Sequence, residues 1–116
     1  MKSGQDQNEQ DLNMQYSGSY KFTKAVEFEG QTYEEVKYDL SALKSTAVIA
    51  AKSAANRLRQ ALGEPLMSDD LVQAVVFARS ADLPAEFVLE MGAADYAAWA
   101  AIVQGFFGTA LSAAIR

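Results

Sequence analysis

Three pairs of carboxylates are the side chains whose spacing could carry acid–base or metal chemistry: Glu27 with Glu29, Glu34 with Glu35, and Asp69 with Asp70. General acid–base catalysis needs both groups within reach of one substrate. Neighbouring residues of a strand point to opposite faces, so Glu34 and Glu35 cannot clamp one substrate from a regular strand. Glu27 and Glu29 share a parity, but beside a turn on the solvent side, where charges are ordinarily exposed. Asp69 and Asp70 follow Ser68 at the start of a helical pattern, where the helix dipole favours negative charge. The sequence contains neither histidine nor cysteine. That excludes a Ser–His pair, a thiolate nucleophile, Cys-ligated zinc and disulfides in this chain. No glycine-rich phosphate loop and no serine in a nucleophile-elbow context is present. The chain therefore reads as not an enzyme, with no catalytic residue, no metal and no cofactor.

Two other groups of residues could bind a partner. Lys52, Arg57, Arg59 and Arg79 are the cations of the helical region, and the seven-residue step from Lys52 to Arg59 can place them on one helix face. Against a net charge of −5 and a pI near 4.6, four cations give little phosphate affinity. They read as a solvated face, and neither nucleic acid nor an anionic membrane is an expected partner. The second group is apolar: Tyr96, Trp99, Val103, Phe106 and Phe107 recur along one side of the last helical pattern, and Leu111 extends it. Such a stripe reads either as core or as a partner groove with rigid aromatic anchors. As a binding site, it would comprise Tyr96, Trp99, Val103, Phe106, Phe107 and Leu111.

The elements that must position these residues follow from periodicity. The 116 residues suit one domain with one core. Residues 1–19 are polar, with Leu12, Met14 and Tyr16 scattered, and read as a disordered tail. The start, Met1-Lys2-Ser3-Gly4, is not followed by an apolar segment, so no secretory signal is expected, and no run reaches the ~18 apolar residues of a membrane span. The expected location is the cytoplasm.

The folded domain is expected over 20–116. Tyr20, Phe22, Val26 and Phe28 share one parity before Glu29-Gly30, and Val36, Tyr38 and Leu40 share one parity after it; this predicts a β-hairpin over 20–40. Its apolar face needs a cover. Helices are expected at about 46–62, 69–81, 84–91 and 93–115. The first is capped by Ser45 or Thr46, carries the stripe Val48, Ala51, Ala55, Leu58 and Leu62, and is stopped by Gly63 and Pro65. The second begins at Ser68 and buries Leu71, Val72, Val75 and Val76, with Phe77 at an edge. The third carries Phe87, Val88 and Met91 up to Gly92. Strands segregated from helices make this an α+β chain: an N-terminal hairpin and about four helices in one small domain.

The region from Tyr20 to Phe107 resembles the phage tail assembly chaperone family of small myophage proteins. The resemblance is carried by Phe22-Thr23-Lys24-Ala25-Val26-Glu27-Phe28-Glu29-Gly30-Gln31-Thr32-Tyr33, by Tyr38-Asp39-Leu40-Ser41-Ala42-Leu43 and the alanine-rich helix after it, by Leu83-Pro84-Ala85-Glu86, and by Asp95-Tyr96 and Val103-Gln104-Gly105-Phe106-Phe107. Ala25 stands where the family often has proline. The resemblance implies a non-enzymatic assembly factor that binds the tape measure protein and keeps it soluble until tail tube subunits polymerise around it. It further implies the host-cell cytoplasm, contact with the tail tube protein, and a longer frameshifted form of the same protein as partners. Exposed apolar helix ends would also permit a homo-oligomer. The competing expectations are a structural adaptor retained in the tail particle and a small nucleic-acid-binding regulatory module.

Overall fold

The computed structural model describes residues 16–114, with side chains up to Thr109. Two antiparallel strands, β1 (Ser17–Phe28) and β2 (Gln31–Asp39), are followed by a short 3-10 turn, Leu40–Ala42. Then come α1 (Ser45–Leu62), α2 (Asp69–Ser80), a 3-10 segment (Ala85–Glu90) and α3 (Ala93–Ala114). The hairpin-then-helices order is the expected α+β arrangement. Residues 1–15 of the expected tail, with Leu12 and Met14, lie outside the described residues. β1 starts at Ser17, ahead of the expected Tyr20, because Ser17, Gly18 and Ser19 pair with Asp39, Tyr38 and Lys37. The pairing uses backbone groups, which small polar residues supply as well as any.

The hairpin closes through Glu29 (φ 50°) and Gly30 (φ 80°). Two consecutive positive φ values between the paired Phe28 and Gln31 make the type I′ turn that matches strand twist. The ladder is not regular. Lys21 faces Glu35 and Val26 faces Tyr33, so Phe22 to Ala25 together oppose Glu34 alone. This large β-bulge bends β1 and withdraws Thr23 and Lys24 from the ladder.

Those freed backbone groups are taken up by α3. Asp95, in its first turn, is fully buried. Its carboxylate accepts from the Thr23 backbone N–H (3.1 Å), the Thr23 hydroxyl (3.1 Å), the Lys24 N–H (3.4 Å) and the Tyr20 hydroxyl (2.7 Å). Burial pushes the Asp95 carboxyl up, but the bonds from Thr23, Tyr20 and Lys24 outweigh it and hold it below the usual carboxylate range. Asp95 thus latches the hairpin to the helices.

The core lies where the hairpin meets α2, α3 and the 3-10 segment. Trp99 of α3 stacks on Phe77 of α2 (4.3 Å between centroids) and lies parallel to Phe87 (5.9 Å). Phe22 and Tyr38 bring the hairpin face onto the same group, at 5.8 Å from Trp99 and 4.6 Å from Phe77. Phe77, expected at an edge, is therefore at the centre. α2 is the middle helix, touching both α1 and α3. α1 approaches it through Ala51, Ala54 and Ala55, which are buried and small enough for close backbone contact.

Both helix stops use left-handed residues. Gly63 (φ 76°) donates to the Gln60 carbonyl and Glu64 to that of Arg59; Asp82 (φ 57°) donates to Arg79 and Leu83 to Ala78. Each is a Schellman motif. α1 is capped by Lys44 rather than by Ser45 or Thr46: the Lys44 carbonyl accepts from Ala47 and Val48, and Ser45 is already helical. The third helical segment is a six-residue 3-10 piece, since the chain from Pro84 to Gly92 is too short for a settled α-helix.

Candidate functional site

The six residues of the aromatic stripe divide between interior and surface. Trp99 and Val103 are fully buried, which removes them from any accessible binding face. Trp99 is held on all sides by aromatic rings, and its indole N–H finds no acceptor among the described residues. Tyr96 is half-buried, and its hydroxyl bonds the Asp70 carboxylate. Burial and that neighbouring charge push the Tyr96 hydroxyl up to about 12, while hydrogen bonds from Ser68 and Tyr96 hold Asp70 below the usual carboxylate range. Phe106 is half-buried and Phe107 is 38% exposed. The Leu111 side chain lies outside the described residues.

Tyr16 covers part of this outer half. Its ring meets Phe106 edge-on at 5.2 Å, and its hydroxyl donates to the Gly105 carbonyl (3.1 Å) and meets Thr109 Oγ1 (2.9 Å). The sequence signalled only an isolated tyrosine there. Phe107 continues into a shallow hollow of about 390 Å³ that it lines with Val48, Lys52, Val72 and Gln73.

A second hollow, about 360 Å³, opens where α1, α2, the 3-10 segment and α3 converge. Leu62, Leu71, Val88, Leu89, Met91 and Tyr96 line it, with Glu64 and Ser68 from the α1–α2 loop. Two of its lining side chains, Leu62 (54%) and Leu89 (42%), are strongly exposed, and the α1–α2 loop that contributes Glu64 and Ser68 also carries the exposed Leu66 (80%) and Met67 (39%). Leu62, expected in the buried stripe, is therefore a surface residue, because the last turn of α1 runs beyond the core. A sequence signal did exist: Leu66-Met67 are large apolar residues in a loop, after Pro65, with no periodicity to bury them.

The loop bearing them is braced. The Arg59 guanidinium donates to the carbonyls of Glu64 (2.7 Å) and Pro65 (3.4 Å) and to Asn56 Oδ1 (2.8 Å). That use separates Arg59 from Lys52, which lines the other hollow, while Arg57 and Arg79 border a third cleft with Glu86. The four cations do not form one face. Glu27, Glu29, Glu34 and Glu35 are exposed on the hairpin, and no cluster of acidic side chains that could hold a metal occurs among the described residues. No helix among them is long and apolar enough to cross a membrane.

The surface thus offers two apolar hollows between its helices. Comparison with curated proteins and with solved structures gives no match. Residues 19–108, more than three quarters of the chain, match the family described as "Phage tail assembly chaperone proteins, E, or 41 or 14". The hairpin from Ser19 onward, the Asp95 latch and both hollows fall within that match, and the chain belongs to the phage tail assembly chaperone family.

Proposed function

We propose that this chain is a non-enzymatic chaperone that binds the tape measure protein of its phage and keeps it soluble in the host cytoplasm until the tail tube assembles around it. The observation that carries the reading is family membership joined to surface chemistry. Several large apolar side chains stay exposed on a small acidic body that has enough core to bury others completely. An amphipathic helix docks into a hydrophobic groove of this kind.

The test is co-expression with the tape measure protein of the same gene cluster. A soluble complex that co-purifies is the expected result. An insoluble tape measure protein, with this chain eluting alone, refutes the proposal. Recovery of the chain as a stoichiometric component of finished tails would also refute it, because a chaperone leaves its product.

A further inference from the structure

The hollow lined by Leu62, Leu89 and Met91 carries charge of one sign at its border. Glu64 lines it, and the Asp70 carboxylate meets Ser68 and Tyr96 of the lining. No lysine or arginine lines it. The nearest cation along the chain, Arg59, is spent on Asn56 and the loop carbonyls. The apolar part is adaptable, since Met91 in its lining and Met67 in the adjoining loop have unbranched side chains that repack around different partners. It is also held open: Gly63 and Arg59 fix the loop so that Leu66 stays out.

Charge decides among the occupants. A second copy of this chain carries a net charge of −5 and would bring the same acidic border against itself. The chain's own first fifteen residues hold Lys2 against Asp6, Glu9 and Asp11, so they too are repelled. We infer that this groove is the client-docking site, and that it takes an amphipathic helix of the partner whose apolar side is flanked by lysine or arginine. The inference rests on the chaperone reading for the identity of the client, and it moves the site from the outer α3 stripe to the α1–α2 loop and 3-10 segment.

The experiment has two parts. In the first, the purified chain is titrated with a synthetic amphipathic helix bearing leucines on one side and lysines on the flanks, and with a twin bearing glutamates instead. At low salt the lysine peptide should bind at least about tenfold tighter than its twin. Glu64→Lys/Asp70→Asn should abolish that preference, and Leu62→Glu/Leu89→Glu should abolish binding with an unchanged melting temperature. If that pair unfolds, Leu66→Ser/Met67→Ser replaces it, because both positions are exposed. No binding, equal binding of the twins, or wild-type binding by the groove variants overturns the inference. So does a dimer that the groove variants dissociate, which would assign the groove to a second copy.

In the second part, the same variants are co-expressed with the tape measure protein. Loss of co-purification in Leu62→Glu/Leu89→Glu, with retention in Phe107→Glu, is expected. A client retained by the groove variants overturns the inference and leaves the chaperone function standing. A client not retained by the wild type overturns the function, and the peptide titration then judges the groove alone.

Discussion

Asp95→Ala should cost this protein a large share of its stability, although no residue lining either hollow is changed. The carboxylate is fully buried and is the acceptor for two backbone donors, Thr23 and Lys24, that the β-bulge has withdrawn from the ladder. Hydrogen bonds to a charged acceptor contribute about 1.5–3 kcal/mol each, so losing two gives about 3–6 kcal/mol. The hydroxyls of Tyr20 and Thr23 add less, since Thr23 is exposed and Tyr20 half-buried and both can turn to water. A domain of this size holds about 5–15 kcal/mol in all. Urea unfolding read by fluorescence of Trp99, the sole tryptophan, measures the loss directly. Asp95→Asn keeps one carbonyl acceptor and should lose about half as much. Tyr20→Phe, which removes one donor and no acceptor, should lose only about 1 kcal/mol. An Asp95→Ala protein within about 1 kcal/mol of wild type would falsify the latch.

The remaining predictions concern pH, backbone strain and the core. Asp95 and Asp70 titrate below the ordinary value in the folded state, so their stabilisation is complete above pH ~4 and is lost as pH falls through the folded values. Acid unfolding curves of Asp95→Asn should be correspondingly flatter. Tyr20 and Tyr96 are raised, Tyr96 to about 12, so stability should decline above pH ~10, and Tyr96→Phe should remove part of that decline. Asp82 adopts φ 57° at a helix stop, and Asp82→Gly should raise the unfolding free energy by about 0.5–1 kcal/mol, whereas Gly63→Ala should lower it by about 1 kcal/mol in the same urea assay. Trp99→Ala should lose about 3–5 kcal/mol by leaving a core cavity. Phe107→Ser should lose clearly less than that, about 1–2 kcal/mol in thermal melts, because its ring is 38% exposed.

Alternation and punctuation made the hairpin, its turn and the helix stops legible: Tyr20, Val26, Val36 and Tyr38 mark the buried face, and Glu29-Gly30 and Gly63 end elements. The bulge was not legible. Phe22 and Val26 keep one parity, so β1 alternates as a regular strand would; the three extra residues show only in the pairing, where Val36 and Tyr33, of opposite parity, face Tyr20 and Val26. Asp95 looked like any acidic residue in a helix's first turn, since nothing local distinguishes a carboxylate facing solvent from one facing freed strand donors. The aromatic stripe was legible as a stripe but not as a divided one. At 1.5 Å per residue the 22-residue α3 is roughly 33 Å long, more than the hairpin and α2 can cover. Its inner half, with Trp99 and Val103, is therefore core, and its outer half, with Phe107, is surface. The groove was harder still, because its residues come from four elements that only the tertiary fold brings together.

The hairpin contributes no side chain to that groove, yet the structure makes the groove depend on it. Asp95 and Tyr96 are consecutive residues in one helical turn, and they face different partners: Asp95 the bulge of β1, Tyr96 the start of α2 and the groove. The bulge fixes Asp95, Asp95 fixes the first turn of α3, and that turn carries Tyr96 to Asp70 beside Leu71. Loosening the latch should therefore blur the groove before the domain unfolds. Asp95→Asn, assayed well below its melting temperature, should bind the lysine-flanked helix more weakly than wild type, although no groove residue is changed. Tyr96→Phe, which cuts the link to Asp70 but leaves the latch, should reproduce much of that weakening. If Asp95→Asn binds as wild type while Tyr96→Phe does not, the two ends of the turn act independently and the hairpin serves the core alone.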